Sequence, residues 1–334
     1  MRPKAFFING GAGRVLCSVP AFEKYQEEIS EDFIIVCESG AEFFKGHFSL
    51  QDKIYDPWHK NLFEDKIKNR DCVTLEPYRV WEYYNQECNL SQAFDIEINN
   101  KGVRELPKPT LRLTREELMS GSNVVKEVKQ KTKKDKLIFI QPFGRGAQHI
   151  GNYINDSSGR SFEYQNLVNI IKKLEKDYAI IVMSEWQIDF EKENCKNPVA
   201  QPQNVDLRHW AGIINSSDYF LGCDSVGQHI AYAFDIPTTV VAGSTFPENI
   251  SYPNSPNFDI QDMGEGLRKY DPIRIVPDEY VNKNNDGIML MNEAIENVIV
   301  ESIRKNISKT PLEKKTVLDN KKEDKKLVHK EQSK

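Results

Sequence analysis

The chain has 334 residues, of which 39% are hydrophobic and 28% charged, and a formal net charge of −5. That length suits two domains of roughly 100 to 200 residues, and the apolar share supports packed cores, which excludes a wholly disordered chain. Residues 305–334 hold ten lysines against five acids, leaving about −10 on the rest, and so acidic a body argues against extended nonspecific nucleic-acid binding.

The first forty residues read strand, glycine turn, helix, strand: AFFIN, GGAGR, VLCSVPAFEKYQEEI and FIIVCES, a βαβ opening. The apolar run AFFI is too short for a signal segment, and no apolar run nears 18 residues. Six scattered cysteines without a CxxC pair fit reduced thiols. A cytoplasmic protein without a transmembrane segment is expected.

Residues 41–105 are aromatic-rich and lack a clean period. Trp58, Tyr78, Trp81, Tyr83 and Tyr84 are expected to be mostly core, with stacking on an acceptor sugar as the functional alternative. A proline-containing stretch, 106–110, and a polar helix, 115–134, form a linker. The expected division is an acceptor-side domain over 1–132, a nucleotide-sugar-binding domain over 133–304, and a Lys-rich disordered tail over 305–334.

Beyond 133 the pattern alternates: strand KLIFIQPFG, helix 162–176, strand YAIIVMS, a helix containing His209-Trp-Ala-Gly-Ile-Ile, strand DYFLGC, helix 228–234, strand TTVVAGS, and a last helix over 291–304. Near-continuous apolar strands between helices predict a parallel sheet covered on both faces. Two such halves predict an α/β protein of paired Rossmann-like, doubly wound domains facing a cleft.

In YFLGCDSVGQHIAYAF a buried strand ends at Cys223, a turn covers Asp224 to Gly227, and a helix begins near Gln228. A diphosphate at that helix N-terminus gains free N–H groups and the positive end of the macrodipole, and Gly227 allows close backbone approach. The structural alternative has Asp224 or Ser225 capping the helix and His229 packed in the core.

The run Asp224-Ser-Val-Gly-Gln-His229-Ile-Ala231-Tyr-Ala233, followed by Pro237 and Gly243-Ser-Thr245, resembles the signature of family 9 glycosyltransferases, the heptosyltransferase group, with the glycine one place later. Ile140-Gln-Pro-Phe-Gly144 resembles the first strand and loop of that family's donor domain. Gly159-Arg-Ser-Phe162 through Leu167 is similar to its Lys-x-Trp segment, with Arg160 in the cation's place, and Gly11-Ala-Gly-Arg-Val-Leu-Cys-Ser-Val-Pro20 to its Gly-Asp-Val-Leu-x-x-x-Pro. The likeness spans about residues 8–303, specific in the last hundred and faint between 41 and 130.

The resemblance implies a GT-B fold and an inverting, metal-independent transfer of a sugar from a nucleotide-diphosphate sugar to a saccharide or other hydroxyl acceptor, with no resident cofactor. It implies a diphosphate contacted by Asp224, Ser225, Gly227, Gln228 and His229, beside Gly144, and neutralised by Arg160 and Arg145. Glu185, after YAIIVMS, is the first choice for the ribose hydroxyls, with Asp189 and Glu191 as alternatives.

One departure bears on mechanism. Where the family carries the aspartate base of the N-terminal glycine loop, this chain has Arg14, between Gly13 and Val15, and an arginine is no base at neutral pH. The base then comes from another group of the N-terminal half, such as Glu38, His47, Asp56 or His59, or the transfer relies on leaving-group stabilisation, or the protein does not turn over; Arg14 itself suits an anionic acceptor or the donor phosphate. Two other readings compete. One is a noncatalytic glycosyltransferase-like binding or assembly module. The other is an NAD(P)-dependent oxidoreductase using Gly11, Gly13 and Glu38, although Leu16 replaces the third glycine. A nucleic-acid acceptor is less favoured than a saccharide. Neither HExxH nor a Cys/His cluster is present, so no metal is expected. Hinge closure about residues 106–134 is expected to exclude water from the donor.

Overall fold

The structure is a computed structural model that describes residues 2–29, 31–151, 153–156, 158–268 and 287–308. Its first half contains β1 (Lys4–Ile8), α1 (Ala12–Glu28), β2 (Phe33–Cys37), β3 (Ile54–Tyr55), β4 (Asp71–Thr74), α2 (Trp81–Tyr84) and α3 (Leu90–Asn99). The four strands form a parallel sheet ordered β3-β2-β1-β4.

Side chains alternate across this sheet, as a strand requires. Phe6, Ile8, Phe33 and Ile35 point into the main core, where Phe6 meets Phe22 edge-on at 5.4 Å and Tyr25 meets Phe33 at 5.0 Å. Ala5, Ile34 and Val36 line the other face, covered by Tyr55, Leu62 and Ile67. The stretch 41–105 holds two strands, two α-helices, three short 3-10 helices and the π-helical turn Phe63–Ile67, which helps cover the second face. Of its aromatics Phe43, Phe44, Tyr83 and Phe94 are fully buried, Tyr78 and Tyr84 are half-buried, and Trp81 and Trp58 are exposed, Trp58 by 90%.

The second half begins with α4 (Arg115–Thr132), opened by a capping box between Thr114 and Glu117. It continues through β5 (Leu137–Gln141), β6 (Gln148–Ile150), β7 (Tyr153–Asn155), α5 (Tyr164–Leu174), β8 (Ala179–Val182), β9 (Val199–Ala200) and α6 (Leu207–Ser216). The chain then passes through β10 (Tyr219–Cys223), α7 (Val226–Ala233), β11 (Thr238–Ala242), α8 (Pro247–Ile250), β12 (Phe258–Asp262) and α9 (Glu293–Ile307). Six strands form one parallel sheet, ordered β12-β11-β10-β5-β8-β9, while β6 and β7 make a separate antiparallel hairpin. The four central strands β5, β8, β10 and β11 are buried throughout, as their apolar runs predict.

Strand order reverses at β5, because β8 lies on one side of it and β10 on the other. Open α/β sheets bind ligands at such a switch point, beyond the C-terminal strand ends. Gln141 ends β5, and Asp224 follows β10.

The two halves already touch. Phe6 and Phe22 of the first and Phe139, Trp210 and Phe220 of the second belong to one continuous core. Gly13 of α1 lies against α7 so closely that a Cβ there would sit 3.1 Å from His229 Cδ2. Arg208 on α6 is buried and donates to both carboxylate oxygens of Glu117, at 2.6 and 2.7 Å. It also donates to the carbonyls of Glu42, at 2.9 Å, and Arg112, at 2.6 Å, which ties α6 to the first half and to the linker. Gly121 of α4 crosses Gly212 of α6, where a Cβ on Gly121 would collide with Gly212 backbone. Helix α4, upstream of residue 133, thus packs on the second half. The Lys-rich segment beyond 308 lies outside the described residues.

Candidate functional site

The C-terminal strand ends of both sheets and the N-termini of α1 and α7 enclose a cavity of about 840 Å³. Arg14, Glu42 and Tyr78 line it from the first half. Arg160, Glu185, Asp224, Ser225 and His229 line it from the second, with Gly144 and the exposed Arg145.

Asp224 is buried. Its Oδ1 accepts from Gln228 Nε2 at 3.0 Å, its Oδ2 accepts from Thr245 Oγ1 at 2.8 Å, and Arg160 Nη1 lies 3.8 Å from Oδ2. A second anion would be repelled by this carboxylate at close range in a low dielectric. Asp224 therefore anchors the strand–helix turn and aims Arg160, rather than touching a phosphate as the sequence reading assigned.

Two further assignments change. The Gly227 amide donates to Gln141 Oε1 at 2.8 Å, and Gln141 Nε2 donates to Ser225 Oγ at 3.1 Å. A side chain at Gly227 would run into Gln141 Oε1 and the Phe220 ring, so this glycine serves helix–strand packing. Gln228 turns inward to Asp224, and neither Gly227 nor Gln228 lines the cavity. Ser225 is the helix N-cap but makes no side-chain capping bond, which leaves its hydroxyl and the first turn at Val226 facing the cavity.

Arg160 supplies positive charge opposite that turn. Burial works against its charge, and Asp224 and Asp156 outweigh it. Arg160 Nε donates to Ser158 Oγ at 2.9 Å, and its guanidinium lies beside Gly144, where a Cβ would sit 3.6 Å from Nη2. Glu185 is exposed on the cavity wall, next to Trp186, which stacks on Phe143 at 5.0 Å and on His149 at 5.7 Å. Asp189 instead accepts from the Lys192 amide at 3.0 Å, and neither it nor Glu191 lines the cavity.

His229 is 3% exposed, and its Nδ1 lies 2.8 Å from Tyr252 Oη and 3.4 Å from Cys17 Sγ. Burial pulls its pKa down to about 4, against the opposing pull of Asp224, so the ring is neutral at pH 7.

The sequence-derived base candidates lie elsewhere. Glu38 accepts from the Gly10 amide at 2.7 Å and holds the glycine loop, which also occupies the acid that the dinucleotide reading reserved for a ribose. His47 is buried, with Nε2 3.0 Å from Glu23 and Nδ1 accepting the Ser49 and Leu50 amides. Asp56 accepts from the Trp58 amide at 2.8 Å, and His59 packs on Tyr55. None of the four lines the cavity; Glu42, one turn beyond Glu38, does. Sequence reasoning passed over Glu42, although its place after β2 puts it on the cleft edge.

Arg14 is tucked into the wall. Its Nη2 donates to the Leu75 carbonyl at 2.7 Å and lies 3.7 Å from Glu76, and its guanidinium stacks over Tyr78 at 4.9 Å. Behind Glu76 stands Glu97, pushed up to about 7 by burial. The charge of Arg14 is thus answered from within its own half. Among the described residues no cluster of His, Cys, Asp and Glu is placed to hold a metal ion, and no helix is long and apolar enough to cross a membrane.

No family model matches the sequence, and no curated protein matches it. Solved structures do. A family 9 glycosyltransferase from Veillonella parvula superposes over 92% of this chain and 98% of its own, with a TM-score of 0.63 and 10% identity. The ADP-heptose LPS heptosyltransferase II of E. coli matches over 91% and 98%, with a TM-score of 0.55 and 9% identity. The iron-containing dodecameric glycosyltransferase TibC of enterotoxigenic E. coli matches over 91% and 76%, with a TM-score of 0.56 and 13% identity, and is also known in complex with ADP-D-β-D-heptose. The class defined by fold and topology is the α/β GT-B class of two facing doubly wound domains. Within it, this chain has the fold of the family 9 and heptosyltransferase structures.

Proposed function

We propose that this protein binds a nucleotide-diphosphate sugar in the crevice between β5 and β10 and transfers the sugar to an acceptor hydroxyl. The observation that carries this reading is Arg160, held charged beside a helix N-terminus whose cap hydroxyl and first turn face the same cavity. A diphosphate there meets a guanidinium, the Ser225 hydroxyl and the positive end of α7. As the sugar departs, these groups stabilise the charge growing on the leaving diphosphate. Arg160 and the helix end supply that charge without a metal or resident cofactor, and Arg145 at the rim adds long-range attraction. Glu185 accepts from the ribose hydroxyls, as its place after β8 suits.

In this reading the acceptor oxygen attacks the anomeric carbon from the face opposite the diphosphate. The bond to the diphosphate breaks with its electron pair, and the configuration inverts. The acceptor proton passes to Glu42, the one carboxylate of the first half that lines the cavity among the described residues. A cytoplasmic location belongs to this reading. ADP is the first probe, because TibC binds an ADP-sugar.

A second reading, binding without transfer, is favoured by one observation: Arg14 stands where the related sequences carry a base, and it is engaged by Leu75 and Glu76. Nucleotide release from ADP-sugars, measured for the purified chain and for Arg160→Ala, separates the two. Release by the wild type and its loss in the variant support transfer; tight binding with no release in the presence of hydroxyl acceptors supports the second reading.

A further inference from the structure

His229 does not stand alone at the junction of the two halves. Two protonated groups from different elements converge on its Nδ1: the Tyr252 hydroxyl at 2.8 Å, from the segment after α8, and the Cys17 thiol at 3.4 Å, from α1. Tyr252 is fixed by its ring, which stacks on Tyr232 at 3.6 Å and meets Phe258 edge-on at 5.2 Å. Burial pushes Cys17 up to about 12 and Tyr252 well above its ordinary value, so both keep their protons.

A neutral imidazole carries one N–H and one bare nitrogen, and the partner of the bare nitrogen decides which is which. A phenol donates strongly to an sp² nitrogen, and a thiol is a poor acceptor in exchange. Nδ1 is therefore the acceptor. The proton sits on Nε2, on the ring edge that faces Gly13, itself part of the cavity wall.

We propose that Tyr252, assisted by Cys17, is a positioning residue that fixes His229 as its Nε2–H tautomer, so that a neutral imidazole donates into the diphosphate-binding cavity. The identity of the ligand rests on the function proposed above; the tautomer does not. A neutral donor adds a hydrogen bond without placing a second cation beside Arg160. It also assigns His229 no part in proton abstraction, since its bare nitrogen is turned away from the cavity. The assignment explains why α1 contributes Cys17 and Gly13 to one contact: the thiol reaches Nδ1, and the glycine leaves room for the opposite ring edge.

The test is ¹⁵N NMR of the full chain labelled in histidine, with the His229 resonances assigned by their loss in His229→Gln. The wild type is expected to show a bare-nitrogen shift at Nδ1 and a protonated shift at Nε2. In Tyr252→Phe the tautomers are expected to mix, and ADP and inorganic pyrophosphate to bind about three- to tenfold more weakly, the range of one hydrogen bond. Cys17→Ala is expected to shift the tautomer balance less. An Nδ1–H tautomer in the wild type overturns the proposal, whether or not nucleotide binds. Unchanged tautomer and affinity in a folded Tyr252→Phe overturn it equally. Failure of ADP and pyrophosphate to bind while the Nε2–H tautomer is present overturns the ligand and the functional reading, and leaves the Tyr252–His229 coupling supported.

Discussion

Gln141, the last residue of β5, accepts the Gly227 amide at 2.8 Å, so the strand at the switch point holds the helix that faces the ligand. The same contact leaves no room for a side chain at residue 227. Gly227→Ala is expected to destabilise the protein by about 2 kcal/mol, as overpacking does, and to weaken ADP binding by shifting the first turn of α7. Urea unfolding and calorimetric titration check the two effects; a variant as stable as the wild type contradicts the packing role.

Arg208 and Glu117 make a buried bidentate pair that links α6 to α4. Arg208→Leu strands the carboxylate and is expected to cost about 3 kcal/mol at pH 7. The guanidinium holds Glu117 at about 2, below the roughly 4.3 of an unfolded glutamate. Its contribution is therefore fully present above that unfolded value and is lost as pH falls through the folded one. Acid unfolding between about pH 5 and pH 2 is expected to be shallower in Arg208→Leu, measured by circular dichroism.

The continuous core across α1 and α7 already holds the two halves together, against the hinge closure expected about the linker. Solution scattering profiles with and without saturating ADP are expected to superimpose. A marked fall in the radius of gyration on binding contradicts this.

Glu42→Gln is expected to lower sugar transfer by about 100-fold or more, within the range of general-base loss, while ADP affinity changes less than about threefold. Equal loss of both moves Glu42 from proton transfer to nucleotide binding. An unchanged rate removes it from the reaction.

The βαβ opening and the β10–α7 turn were readable because their strands are short apolar runs and their helices follow a glycine or an Asp-Ser turn. Strand β12, Phe258–Asp262, was not: it is an edge strand, half-buried along its length, so its sequence alternates without an apolar run. Helix α3 carried a readable signal, the Asn89 and Gln92 capping box, inside a stretch whose aromatic content masked the period. At the site, sequence located the residues but not their directions. Asp224 and Gln228 look like ligand groups on one helix turn, yet they bond to each other. Arg208 and Glu117 are 91 residues apart, and no local pattern connects them.

Arg160 and the N-terminus of α7 are expected to hold a nucleoside diphosphate. Calorimetric titration of the purified chain with ADP, UDP, GDP, CDP and dTDP tests it most directly, repeated on Arg160→Ala and Arg145→Ala. At least one nucleotide is expected to bind, weakened about tenfold or more by Arg160→Ala, as for a charge-assisted contact, and far less by Arg145→Ala. Binding of none of the five, or binding indifferent to Arg160→Ala, contradicts it.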